Sequence, residues 1–399
     1  MSHTALVLFE LGGVLLALGI LSALAARFSI SPIPLYLLAG LGFGIGGVAP
    51  LEAAEGFIEV GAEIGVVLLL FTLGLEYTAQ ELLGTLKKGA PIGLLDLVIN
   101  AAPGVIVGLM LDWGIIAAIV LGGVTLVTSS GVTAKVLNDL GWLGNRETPT
   151  VLSILVMEDL TMAFYLPIVT TLLAGLALAQ ASIGLAVAAV AVTVALVVAS
   201  KFGGIIERFL ASPSNEILVL KVLGLILLIA GLAEGVHVSA AVGAFLVGIT
   251  LSGELAHSAR EVLDPLKDVF AAVFFVSFGL KTDPTALPPV LAIAGGLAVV
   301  GIITKLITGL VAAKRNGIGR IGAWRAGVLL IPRGEFSIVI AGLAVGTPFV
   351  TSELGPLVAA YVLILVIVGP LAARMVEPLA KHRKKSMLRR QEQSQLTNA

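Results

Sequence analysis

Thr150-Val-Leu-Ser-Ile-Leu-Val-Met-Glu158-Asp159-Leu-Thr-Met-Ala-Phe-Tyr-Leu-Pro-Ile-Val-Thr170 is long and apolar enough to cross a bilayer, yet two adjacent carboxylates stand at its centre. An ionised group at that depth costs about 3 kcal/mol or more, so such residues mark function by default. The rest of the chain has to explain what two acids do there.

The surrounding composition makes the membrane reading general. Hydrophobic residues form 58% of the 399 and charged residues 12%, about half the charged share of a soluble domain. Mean hydropathy is +1.09. These values predict an all-α integral membrane protein with about thirteen spanning helices. The absence of cysteine excludes disulfides, thiol catalysis and cysteine-ligated metals. The four histidines are scattered, and no cofactor is expected. The opening Met1-Ser-His-Thr4 lacks the basic region of a cleavable signal. Gly42-x-Gly44-x-x-Gly47 fits a dinucleotide fingerprint only in letters, because no strand precedes it. Gly40-x-x-x-Gly44 in the same stretch is a helix-packing pattern. No nucleic acid partner is expected.

Charge placement gives the orientation. Alternate connections carry Arg27, Lys87 with Lys88, Arg146, Lys201 with Arg208, Arg260 with Lys267, and Lys314 through Arg325. The basic tail from Lys381 falls on the same side, and the opposite connections carry only Lys281. By the positive-inside rule the N-terminus lies outside and the tail in the cytoplasm of a bacterial-type inner membrane. The tail from about residue 380 is expected to be without structure, its basic start able to lie on anionic lipid.

Two segments are expected to be broken. Gly122-Gly-Val-Thr-Leu-Val-Thr128-Ser129-Ser130-Gly131-Val-Thr133 is too polar and glycine-rich for an uninterrupted helix in lipid. Pro332-Arg333-Gly334-Glu335-Phe336-Ser337 sets proline, glycine and opposite charges at the middle of another span. The two run in opposite directions, as an inverted repeat demands, and paired interruptions point to a secondary-transporter site. Helical rise places Asp159 roughly 16 Å and Lys305 roughly 14 Å deep. Arg333 and Ser130 lie at roughly 12 to 14 Å by the same measure. Acids, bases and hydroxyls from distant segments thus converge on one level. Arg333 and Glu335 either offset the exposed helix termini at the breaks or pair with each other. Thr128, Ser129 and Ser130 supply neutral oxygens suited to a monovalent cation shedding water. Asp96, Asn100 and Glu63 also lie deep.

The chain resembles the bacterial monovalent cation:proton antiporters, in the branch holding glutathione-gated potassium efflux systems and related sodium/proton exchangers. Gly65-Val-Val-Leu-Leu-Leu-Phe-Thr-Leu-Gly-Leu-Glu76, Glu158-Asp159, Phe274-Phe-Val-Ser-Phe-Gly279 and Arg333-Gly-Glu-Phe336 carry the resemblance. It implies a membrane domain over 5–378 with two crossed discontinuous helices. Its dimerisation part would span about 5–78 and 216–280, and its core transport part about 90–173 and 286–378. A linker helix at about 179–200 and a basic cytoplasmic tail over 379–399 complete the division. It implies a homodimer with an elevator-like movement of the core.

The resemblance makes Asp159 the transport aspartate, binding the monovalent cation or the proton. Glu158 stands where relatives usually carry Asn, Asp or Gln, and Lys305 stands where a lysine opposite the pair is expected. Efflux systems often continue into a nucleotide-binding regulatory domain, which some relatives take as a separate cytoplasmic subunit. Potassium is preferred to sodium on this resemblance. A cation channel is the reading from another class, disfavoured by the lack of a repeated pore loop. An enzyme is disfavoured by the lack of a nucleophile–base pair.

Overall fold

The computed structural model describes residues 2–27, 31–44, 54–75, 79–173, 208–235, 240–251 and 253–397, and these are all-helical apart from short connections. The first group of helices is α1 His3–Arg27, α2 Ile33–Phe43 and α3 Glu55–Leu75. Next come α4 Ala79–Met110, α5 Gly114–Leu126, α6 Ser130–Asp139 and α7 Thr148–Leu173. The second half holds α8 Asn215–Gly235, α9 Ala240–Thr250, α10 Gly253–Leu280, α11 Leu287–Arg315, α12 Arg320–Leu329, α13 Glu335–Ala344 and α14 Leu354–Thr397. Among the described residues, six stretches are by themselves long and apolar enough to cross a membrane, including Gly114–Asp139 with its break and Leu354–Val376. The expected linker helix at about 179–200 and Glu76 lie outside the described residues.

Packing falls into two sets. In one, α3 lies along α9 and α10, α2 along α10, and α8 along α9. Small residues allow it. A Cβ added at Gly279 of α10 would come within 2.8 Å of the Gly40 Cα in α2, and one at Gly74 of α3 within 2.8 Å of the Gly248 Cα in α9. Gly44 packs on Leu280 in the same way, so the Gly40-x-x-x-Gly44 pattern is a helix contact, driven by close van der Waals approach. In the other set α4 packs on α5, α7 and α11, while α11 packs on α12 and α14 and α13 on α5.

α10 begins at Gly253 and runs to Leu280, and its second half is the apolar part. Its first half is polar outside, but Leu255, Ala259 and Leu263 at helical spacing are buried. The basic tail does not leave the helix, for α14 continues to Thr397. Beyond Pro378 the segment contains no glycine or proline and is rich in Lys, Arg, Gln and Leu, all good helix formers.

Candidate functional site at the crossing of two helix breaks

Helix α5 stops at Leu126 because the residues after it leave the helix: Val127 (φ -79°, ψ 131°) and Ser129 (φ -74°, ψ 109°) are extended. The Ser129 hydroxyl then accepts from the Val132 N–H at 3.3 Å and caps α6. Pro332, which has no N–H to give, interrupts the other helix between Leu329 and Glu335. The two interruptions touch. Ser129 donates its backbone N–H to the Pro332 carbonyl at 2.9 Å. The Thr128 hydroxyl lies 3.1 Å from the Leu330 carbonyl, which shares the hydroxyl's one proton with Glu158, and the Thr133 hydroxyl donates to the Leu329 carbonyl at 2.8 Å. A side chain at Gly334 has no space, since its Cβ would lie 2.5 Å from the Ser129 Oγ.

Broken helices in lipid leave carbonyls and amides without partners, and each must be satisfied locally. Arg333 answers the carbonyl ends. Its Nη1 donates to the Leu330 and Ile331 carbonyls at 3.1 and 2.9 Å, and its Nη2 to the Thr125 carbonyl at 2.8 Å. Ser337 donates to the Val124 carbonyl at 2.9 Å. Glu335 answers the amide ends, as an acid in the first turn of α13. It accepts from the hydroxyls of Ser129 at 2.8 Å and Ser130 at 3.5 Å. Of the two sequence readings, capping of the termini is therefore the one realised, and no Arg333–Glu335 ion pair forms among the described residues.

Beside the crossing lies an ion cluster. Lys305 of α11 places its Nζ 2.8 Å from Oε1 of Glu158 in α7, and 3.0 and 3.3 Å from the two oxygens of Asp96 in α4. Glu158 also accepts from the Thr128 backbone N–H and, at 3.0 Å, from the Thr128 hydroxyl. Asn100 donates to Oδ1 of Asp96 at 2.8 Å and to the Thr308 hydroxyl at 3.1 Å. Exposure is 0% for Lys305, 1% for Asp96 and 2% for both Glu158 and Asp159. Successive helical residues diverge by about 100°, so Asp159 leaves α7 in a different direction from Glu158.

The structure thus brings Glu158, Lys305 and Thr128 into one hydrogen-bonded group, and Ser129, Ser130, Arg333 and Glu335 into the adjoining crossing. Asp159 is buried next to Glu158. Sequence reasoning placed Asp96 and Asn100 deep but did not join them to the site. The i, i+4 spacing of an acid and an amide on one face of a spanning helix was the available signal. No group of three or more metal-ligating acids or histidines occurs among the described residues.

Two discontinuous helices crossing at their breaks, with buried carboxylates beside them, define a secondary ion transporter. The chain belongs to the sodium/hydrogen exchanger family, whose transmembrane profile matches residues 13–376. It is 33% identical over 379 residues to the K(+)/H(+) antiporter subunit KhtU of Bacillus subtilis, covering 92% of each chain. It is 30% identical to the ammonium/H(+) antiporter subunit AmhT of Alkalihalophilus pseudofirmus, over 85% of this chain and 87% of that one. The sodium proton antiporter MjNhaP1 of Methanocaldococcus jannaschii has the same fold, with a TM-score of 0.71 at 19% identity over 94% of this chain and 98% of that one. The protein is a cation/proton antiporter, a multi-pass membrane transporter rather than an enzyme.

Proposed function

We propose that the protein exchanges a monovalent cation for protons at Asp159, with potassium preferred to sodium. One observation carries this reading: the Glu158–Asp159 pair is buried beside the helix crossing, with one lysine tied to its first member. A proton and a cation exclude each other at the Asp159 carboxylate. Either loaded form is less charged than the empty one, so the empty site is the form least able to cross a low-dielectric barrier. That exclusion couples the two fluxes without covalent chemistry. Thr128, Ser129 and Ser130 line the approach with neutral oxygens, and Glu158 with Lys305 closes the site until a ligand rearranges them.

Alternating access is elevator-like in this reading. The second packing set, about 90–173 and 286–378, moves as the transport core, and about 5–78 with 216–280 forms the dimerisation part of a homodimer. The separate packing of the two sets favours this division. The opposed breaks favour an inverted repeat. The basic connections favour an N-terminus outside and a C-terminus in the cytoplasm. Both named relatives are called antiporter subunits, which favours a separate cytoplasmic regulatory subunit here. Potassium is preferred because the 33% identical relative is named for it.

The test is dye-reported proton movement in proteoliposomes on adding potassium, sodium, lithium or ammonium. Wild-type protein is expected to respond most strongly to potassium. Asp159→Asn is expected to abolish the response, and normal exchange by that variant would remove Asp159 from the mechanism.

A further inference from the structure

Lys305 stands between carboxylates from two helices, and only one of them belongs to the acid pair. We propose that Asp96 is a positioning residue, which takes the Lys305 ammonium when a cation occupies the Glu158–Asp159 pair. This rests on Asp159 being the carrier.

The two carboxylates are held differently. Besides the lysine, Glu158 keeps the Thr128 backbone N–H as a donor of its own and competes with the Leu330 carbonyl for the single Thr128 hydroxyl proton, so it stays partly satisfied without the ammonium. Asp96 belongs to a separate ring between α4 and α11. Asn100, one turn along α4, donates to Asp96 Oδ1 at 2.8 Å and to Thr308 at 3.1 Å. Thr308 lies one turn along α11 from Lys305, which closes the ring at Asp96 with bonds of 3.0 and 3.3 Å. Asn100 Oδ1 is buried without a hydrogen-bond partner, a spare acceptor on the same helix as Asp96. Asp96 is therefore oriented toward Lys305 by groups that do not involve α7.

A cation arriving at Glu158 and Asp159 meets the ammonium as a like charge. Between unit charges in a buried, low-dielectric site that repulsion is far stronger than in water. The ammonium has to give way, but leaving it unpaired at 0% exposure is strongly disfavoured. A shift from Glu158 onto Asp96 avoids both costs, since the two are already within bonding distance of the same Nζ. Arg333, also a buried cation near the site, is engaged with three carbonyls and does not compete with the ammonium for Asp96.

The experiment uses full-length protein in proteoliposomes, with potassium-dependent proton movement as the signal. Asp96→Asn is expected to raise the potassium KM about tenfold, within the range of coupling between contacting charges, with the maximal rate changed less than about threefold. Asp96→Glu is expected to restore KM to within about threefold of wild type. In a Lys305→Gln background, Asp96→Asn is expected to change KM by less than about twofold, because the group it positions is gone. An unchanged KM in the single variant overturns the proposal, and so does an equal rise in both backgrounds, which would make Asp96 a structural residue. Should Asp96→Asn not yield folded protein, Asp96→Glu decides: a tenfold rise in KM, or any effect that persists with Lys305→Gln, overturns it. The carrier assignment fails separately, through exchange retained by Asp159→Asn.

Discussion

At the seam between α3 and α9, Gly74 and Gly248 meet with no side chain on either partner, and Gly40 and Gly279 do the same between α2 and α10. At the crossing of the breaks, backbones also meet, but every approach is bridged: Ser129 N–H to Pro332, Arg333 to Thr125, Ser337 to Val124. The seam holds by shape, because its backbone groups are already satisfied within intact helices. The crossing holds by polar groups, because interrupted helices expose theirs. Close approach in a membrane thus has two chemistries, and they fail under different substitutions.

The largest loss is expected at the crossing. Arg333→Met removes the donors to three buried carbonyls, and leaving such groups unpaired costs about 3 kcal/mol or more. A thermal midpoint in detergent should fall steeply, and Arg333→Lys should not recover it, since one ammonium cannot span both breaks. A midpoint unchanged by Arg333→Met would mean that water replaces the guanidinium there.

At the seam, Gly279→Val forces apart α2 and α10, for a cost of about 2 kcal/mol. Lengthening nothing and adding no charge, it tests shape alone. If its midpoint falls as far as that of Arg333→Met, the two contacts do not differ in the way described.

Glu335→Gln keeps the shape and an acceptor for Ser129 but removes the charge from the start of α13. About 1 kcal/mol is expected, and the loss should shrink as salt is raised only if water reaches the break. The smallest effect belongs to Lys281→Ala. Its ion pair with Glu59, at 2.9 Å, has both partners more than half exposed, so neither the midpoint nor exchange should change measurably.

Both breaks were legible in the chain because their residues are wrong for a lipid-facing helix: Thr128-Ser-Ser-Gly131 in one, Pro332-Arg-Gly-Glu335 in the other. The depth of Asp159 and Lys305 was legible from helical rise, and Glu158, the neighbour of Asp159, does meet Lys305. Asp96 was harder. It lies 209 positions from Lys305, and a single acid in a spanning helix names no partner. The roles of Arg333 and Glu335 stayed open for a different reason, because sequence gives proximity along the chain but not the direction of a side chain at a break. The end of α14 was misread because a charged, polar composition suits both a solvated helix and an open chain.

The Ser129–Pro332 bond has a consequence for how such a protein diversifies. It joins main chain to main chain, so substitution of the Ser129 side chain leaves its donor in place, and any residue preceding Arg333 still offers a carbonyl. The scaffold at the crossing is in this respect indifferent to what the neighbouring side chains bind. Lineages can rework the hydroxyls and acids around it for a different ion while the frame that presents them stays standing.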